Sequence, residues 1–160
     1  MILSHIQPVL NVLIYDHQRS IKNKDINITK GKWRIIMEQK FLRCEHCGNI
    51  IAMVKDTGVP VMCCGQKMTE LVPGTTDASL EKHVPDYKVE GNKVIVKIGS
   101  VEHPMLPEHY IEWVSLQTKA GNQRKALNPG DKPEVCFTIC EGDEVEAVYE
   151  YCNLHGLWKA

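Results

Sequence analysis

"NKVIVKIGS", residues 92–100, alternates Val94, Val96 and Ile98 with Lys93 and Lys97. A period of two sends successive side chains to opposite faces of an extended chain, so this stretch reads as a strand with one buried face. The same reading extends outward. "YIEWVSLQT" (110–118) places Tyr110, Val114 and Leu116 on one side and Ile111 and Trp113 on the other. "PEVCFTIC" (133–140) and "VEAVYEYC" (145–152) are further strands. Turn formers separate them: "EGN" at 90–92, "AGN" at 120–122, "NPGD" at 128–131 and "EGDE" at 141–144. No helical period is evident. The predicted fold class is all-β, with a small antiparallel sandwich over residues 81–160.

Upstream, residues 37–73 are short, cysteine-rich and punctuated by Gly48, Gly58 and Gly65. A segment of that size cannot bury a sufficient core alone, so a metal is its natural stabiliser. A linker is expected over 74–80, within the turn-forming run "PGTTDAS" (73–79) and just beyond it.

The chain has 160 residues, 43% hydrophobic and 24% charged, a globular composition with room for one ordinary domain or two small ones. A net charge of -1 offers no basic field for nucleic acid. No apolar run is long enough for a membrane span. The seven cysteines are grouped like ligands rather than like a disulfide framework, which suits a reducing cytoplasm.

Residues 1–36 differ in kind. They carry Arg19, Lys22, Lys24, Lys30, Lys32 and Arg34 against Asp16 and Asp25, a local charge of +4 that leaves -5 for the rest. Their apolar part precedes the positive charge, the reverse of a signal peptide. Trp33 is encoded by TGG, and an AGG codon for Arg34 would create GGAGG, a bacterial ribosome-binding sequence, six nucleotides before the Met37 codon. Residues 1–36 are therefore expected to be upstream sequence read in frame, with translation starting at Met37. The alternative is a genuine extension without stable order.

"CEHCG" (44–48) and "CCG" (63–65) supply four thiolates, Cys44, Cys47, Cys63 and Cys64, at metal-ligand spacing. A tetrahedron of four sulfurs takes zinc or iron. Adjacent residues point apart in an extended chain, so Cys63 and Cys64 can share one ion only if the backbone bends. His46 is expected to face solvent. A second set lies downstream. Cys152 and His155 are spaced to chelate one ion, and His83, His103 and His109 occupy loop-like contexts, the last two in "VEHPMLPEHY", shaped by Pro104 and Pro107. Any one of these histidines alone is more readily a surface or core residue. Together with Cys152 they make five ligands, one more than structural zinc takes, and they suit a redox iron with an open sixth position. Cys136 and Cys140 read as small apolar residues and not as ligands.

These motifs, "CEHCG…CCG", "EKHVP", "HPM", "EHYIEW" and "YCNLHGLWKA", resemble those of desulfoferrodoxin, the two-iron form of superoxide reductase, from Met37 to Ala160. The resemblance implies an iron at Cys44, Cys47, Cys63 and Cys64 in a desulforedoxin-like domain. It implies an immunoglobulin-like sandwich carrying a second, non-haem iron, with His83, His103, His109 and His155 equatorial and Cys152 axial. It implies a homodimer that reduces superoxide to hydrogen peroxide without releasing dioxygen, with electrons from a rubredoxin-like donor. Glu81 would occupy the sixth position of the ferric iron. Lys82, beside His83, is the candidate attractant for the superoxide anion. Three other readings compete: a zinc ribbon joined to a β-sandwich that binds a protein partner, a pure electron-transfer iron protein, and a dismutase.

Overall fold

The structure, a computed structural model, describes residues 38–76 and 78–160. The expectation for residues 1–36 lies outside the described residues.

Val94, Val96 and Ile98 are at most 2% exposed, as their alternation requires. They form the inner face of strand β7 (Lys93–Ile98). β7 is central in a sheet of order β10-β7-β6, between β10 (Glu134–Thr138) and β6 (Pro85–Glu90). Gly91 and Asn92 turn β6 back into β7. The facing sheet has the order β12-β11-β8-β9, from β8 (Ile111–Thr118), β9 (Asn122–Ala126), β11 (Val145–Cys152) and β12 (Gly156–Lys159). All pairings are antiparallel. Between the sheets lie Val94, Val96, Ile98, Val114, Leu116, Phe137 and Val148, with Cys152 at the end of the same layer. Each such side chain contributes roughly 1.5–3 kcal/mol by leaving water.

Strand β8 departs from simple alternation. Tyr151 pairs with Trp113 but Cys152 pairs with Ile111, so Glu112 is an inserted residue and the ladder has a bulge. Sequence alternation puts Ile111 on the side of Trp113. The bulge instead turns Ile111 into the core with Val114 and Leu116, while Trp113 faces outward. A second departure is a single helical turn, α1 (Leu80–His83), too short to leave a period in the sequence.

The cysteine-rich segment forms a three-stranded sheet of order β2-β1-β5, from β1 (Lys40–Arg43), β2 (Ile50–Met53) and β5 (Thr69–Glu70). A hairpin of β3 (Met62–Cys63) and β4 (Gln66–Lys67) completes it. Phe41 of β1 is 1% exposed and lies against Trp113 (ring centroids 4.9 Å apart) and Tyr149 (5.5 Å), on the outer face of the four-stranded sheet. Ala147, Tyr151 and Leu157 join this cluster. The cysteine-rich sheet and the sandwich thus share an apolar contact, and residues Gln39–Ala160 form one compact unit.

Candidate metal centres

Cys44 and Cys47 come from the knuckle after β1, where the Gly48 amide donates to the Cys44 carbonyl (2.9 Å). Cys63 and Cys64 come from the β3–β4 hairpin. Its two central residues, Cys64 and Gly65, both have positive φ, 50° and 76°. That is the requirement of a type I′ turn, which glycine meets freely and a cysteine meets only with strain. Here is the bent backbone that two adjacent ligands demand. Among the described residues Cys64 is the one non-glycine with positive φ.

The four sulfurs lie within 4.8 Å of one another, Cys47 to Cys63 at 3.7 Å and Cys63 to Cys64 at 3.9 Å. A disulfide would need about 2.05 Å, whereas a tetrahedron with metal–sulfur bonds of about 2.3 Å has edges close to 3.8 Å. The donor set fits a metal. The Cys47 amide N–H lowers the Cys44 thiol to about 6, while hydrogen bonds with the Cys47 and Cys63 sulfurs push Cys64 up to about 12. Four thiolates gathered without a cation repel one another, and a bound metal relieves that repulsion. His46 is exposed and outside the set, as expected.

The second cluster gathers His83, His103, His109, His155 and Cys152, with ligand atoms within 4.8 Å of one another. Four separate stretches supply them. His83 ends α1, and its Nδ1 lies 2.8 Å from the Ser79 carbonyl, the residue that opens the turn. His103 and His109 sit on the β7–β8 loop, which is closed by paired amide–carbonyl bonds between Leu106 and His109 (2.9 and 3.0 Å). Cys152 ends β11, and His155 lies in the three-residue turn to β12. There Gly156, at φ 72°, takes the left-handed conformation such a turn needs.

The rings form a closed square. Successive pairs, His83–His103, His103–His109, His109–His155 and His155–His83, have centroids 4.7–4.8 Å apart and interplanar angles of 78–86°. The opposite pair His83–His109 is 6.4 Å apart, near the diagonal of a square of that side. The protons of two rings follow from their partners. His83 Nδ1–H donates to Ser79, and His103 Nδ1–H donates to the Pro104 carbonyl (2.6 Å). Their Nε2 atoms, 3.2 Å apart, then present lone pair to lone pair. His109 Nε2 is buried with no hydrogen-bond partner. A cation between them satisfies all three, so this donor set also fits a metal.

Burial lowers the imidazoles of His83 and His109, and that of His103 to about 4, which favours the neutral form that can ligate a metal. Cys152 is wholly buried. Burial raises its thiol, while the backbone amides of His155 and Leu154 act the other way by stabilising the thiolate.

Glu81 and Lys82 lie with His83 on α1, Glu81 exposed and Lys82 half-buried. Glu81's own amide and the Ser79 hydroxyl hold its carboxyl below the usual range. α1 is clasped by the turn after β7. The Val101 amide donates to the Glu81 carbonyl (2.9 Å), the Ser100 hydroxyl donates to the same oxygen (3.3 Å), and Gly99 allows the close approach.

Sequence reading missed several residues of this site. Trp158 stacks on His83 (4.8 Å, 22°) while its Nε1 donates to the His155 carbonyl (3.2 Å), so one side chain backs two ligands. Glu150 lies fully buried on the Cys152 face of β11 with neither carboxyl oxygen hydrogen-bonded, and burial pushes its carboxyl up to about 9. Strand alternation with Val148 and Cys152 was the available signal for Glu150; Trp158 had none. Cys136 and Cys140 are exposed and belong to neither cluster.

The desulfoferrodoxin family model matches residues 75–160. The chain is 45% identical over 118 residues to the desulfoferrodoxin of Syntrophotalea carbinolica, covering 74% of this chain and 92% of that one. It is 48% identical over 118 residues to the desulfoferrodoxin homolog of Archaeoglobus fulgidus, covering 74% and 93%. The crystal structure of the superoxide reductase from Treponema pallidum superposes with a TM-score of 0.67 at 42% identity, covering 78% of this chain and 99% of that one.

Proposed function

The chain belongs to the desulfoferrodoxin family, and from that premise we propose that it is a superoxide reductase: superoxide, one electron and two protons give hydrogen peroxide, with no dioxygen released. The observation that carries the reading is the closed square of four imidazoles with the buried Cys152 thiol at the same centre. Five such donors leave a six-coordinate ion one open position, which structural zinc does not have. A non-haem iron held by His83, His103, His109, His155 and Cys152 supplies the electron and the vacant coordination position. A second iron is held by Cys44, Cys47, Cys63 and Cys64.

The side chains have separate tasks. The Ser79 and Pro104 carbonyls fix two imidazoles in the tautomer that presents Nε2. Neutral imidazoles add no charge, so an anion is not repelled by its own ligand plane. Cys152, whose thiol burial raises while two backbone amides act the other way, would as a thiolate ligand donate electron density to the iron and so favour release of peroxide. Lys82, one residue before His83, draws superoxide to the mouth of the site. Glu81, ionised and on the same turn, would be the carboxylate to cap the iron between turnovers.

We further assign the iron-binding module to 37–73, the linker to 74–80 and the catalytic sandwich to 81–160. The protein works in the cytoplasm as a homodimer, re-reduced by a rubredoxin-like donor. No helix among the described residues is long and apolar enough to cross a membrane.

Metal analysis of protein from its native source tests the reading. Two irons per chain with rapid superoxide consumption support it. One zinc and no iron, with no consumption, leaves a zinc ribbon beside a sandwich and removes the enzyme.

A further inference from the structure

Two of the segments that carry ligands are tied by one side chain outside both ligand sets. Asn153 follows Cys152 and begins the turn that ends in His155. Its side chain reaches the far end of the β7–β8 loop. Asn153 Nδ2–H donates to the Glu108 carbonyl (3.0 Å), and its Oδ1 accepts from the Tyr110 amide (3.0 Å). Its own backbone amide donates to the Tyr110 carbonyl (3.2 Å). The two residues gripped, Glu108 and Tyr110, are those on either side of His109.

The need for such a tie is visible in the fold. His109 precedes β8, whose first paired residue, Ile111, meets Cys152 across the bulge at Glu112. A bulge interrupts the regular ladder just where an imidazole must be set against a thiolate. Asn153 replaces the missing ladder bonds with side-chain ones. An amide is the group that serves here, because it offers a donor and an acceptor in one plane. Asp keeps the acceptor but turns a second oxygen on the Glu108 carbonyl, and Ala removes both bonds.

We infer that Asn153 is a positioning residue that sets the His109 imidazole against the Cys152 sulfur. The inference rests on the reading of the five-residue cluster as a metal site. Asn153 does not touch the metal or the substrate. It acts on how firmly the ion is held and on the thiolate–metal geometry. Loss of an outer partner of a metal ligand typically weakens metal affinity about 10- to 100-fold.

The test compares full-length wild type, Asn153→Ala, Asn153→Asp and Asn122→Ala, each loaded with iron. Asn122 bears an exposed amide on β9 bonded to Gln39, so its loss reports removal of a surface amide alone. Two quantities are read: the rate of iron transfer from each centre to a chelator, and the thiolate-to-iron absorption band and EPR spectrum of the five-ligand centre. The four-cysteine centre in the same chain is the internal reference for folding. Both Asn153 variants should lose iron from the five-ligand centre about 10-fold or more faster, with a displaced band, while the four-cysteine centre and Asn122→Ala match wild type. Wild-type release and spectrum in both Asn153 variants would overturn the inference. So would parallel loss from both centres, which assigns the amide to general folding. A wild-type chain holding iron only at the four cysteines overturns the metal reading and the inference with it.

Discussion

Gly99→Ala tests how the turn after β7 holds α1. Gly99 has φ 75°, and a Cβ there would lie 2.6 Å from the Val101 carbonyl oxygen, 2.7 Å from that of Glu81 and 2.7 Å from the Lys82 carbonyl carbon. All three are backbone atoms, so no side chain can rotate away, and α1 must move off the turn. The left-handed conformation costs an alanine about 1–2 kcal/mol. Forcing the extra methyl into closed packing costs about 1–3 kcal/mol more. For a chain of this size each kcal/mol lowers the melting temperature by about 2–4 °C, so a fall of roughly 5–15 °C is expected. Gly142→Ala separates the two contributions. Gly142 has φ 79° but nothing within 4 Å of its Cβ position, so it bears the conformational cost alone. Thermal melting of the two variants beside wild type is the assay, followed by the second-order rate constant for superoxide. Gly99→Ala should melt several degrees below Gly142→Ala and react more slowly, because α1 carries Lys82 and His83. Equal melting temperatures, or an undisturbed rate constant in Gly99→Ala, would refute the clasp.

Lys82→Ala should slow superoxide capture and flatten its dependence on ionic strength, measured by pulse radiolysis across a salt series; an unchanged rate constant removes Lys82 from the mechanism. Glu150 has its folded carboxyl raised to about 9 from an ordinary 4.5, so the unfolded chain gives up this proton first. The penalty is absent below about pH 4.5 and grows as pH rises toward 9, reaching about 3 kcal/mol near pH 7. Glu150→Gln should therefore lose less stability between pH 5 and pH 8 than wild type in thermal melts of the iron-loaded protein, and an identical pH slope would contradict this. Phe41→Ala removes a ring buried against Trp113 and Tyr149 and should cost about 3–5 kcal/mol in urea unfolding. A loss below about 1 kcal/mol would mean that the shared cluster does not stabilise the unit.

The sandwich was legible because Val94, Val96 and Ile98 announce a half-buried strand through period alone, and glycine-bearing turns separate the rest. Both metal clusters were legible through residue type and spacing, and Cys64 shows how far: adjacency of two ligands required a bent backbone, and the left-handed turn supplies it. What escaped depends on geometry that a period cannot encode. One inserted residue, Glu112, moves Ile111 from the Trp113 side into the core. α1 is four residues long and leaves no repeat. Phe41 belongs to the cysteine-rich segment but is buried against the four-stranded sheet, a long-range contact without local signal. Trp158 and Asn153 act through neighbours in space, so nothing in their own positions marked them, and for Glu150 the one signal was its alternation with Val148 and Cys152.

The central claim is that the five-ligand centre reduces superoxide without oxidising it. The direct measurement is the product balance of a superoxide pulse on the fully reduced protein, with peroxide and dioxygen both quantified. One peroxide for each superoxide consumed and no dioxygen is the expected result. Dioxygen formed in equal amount to peroxide would mean dismutation and would contradict it.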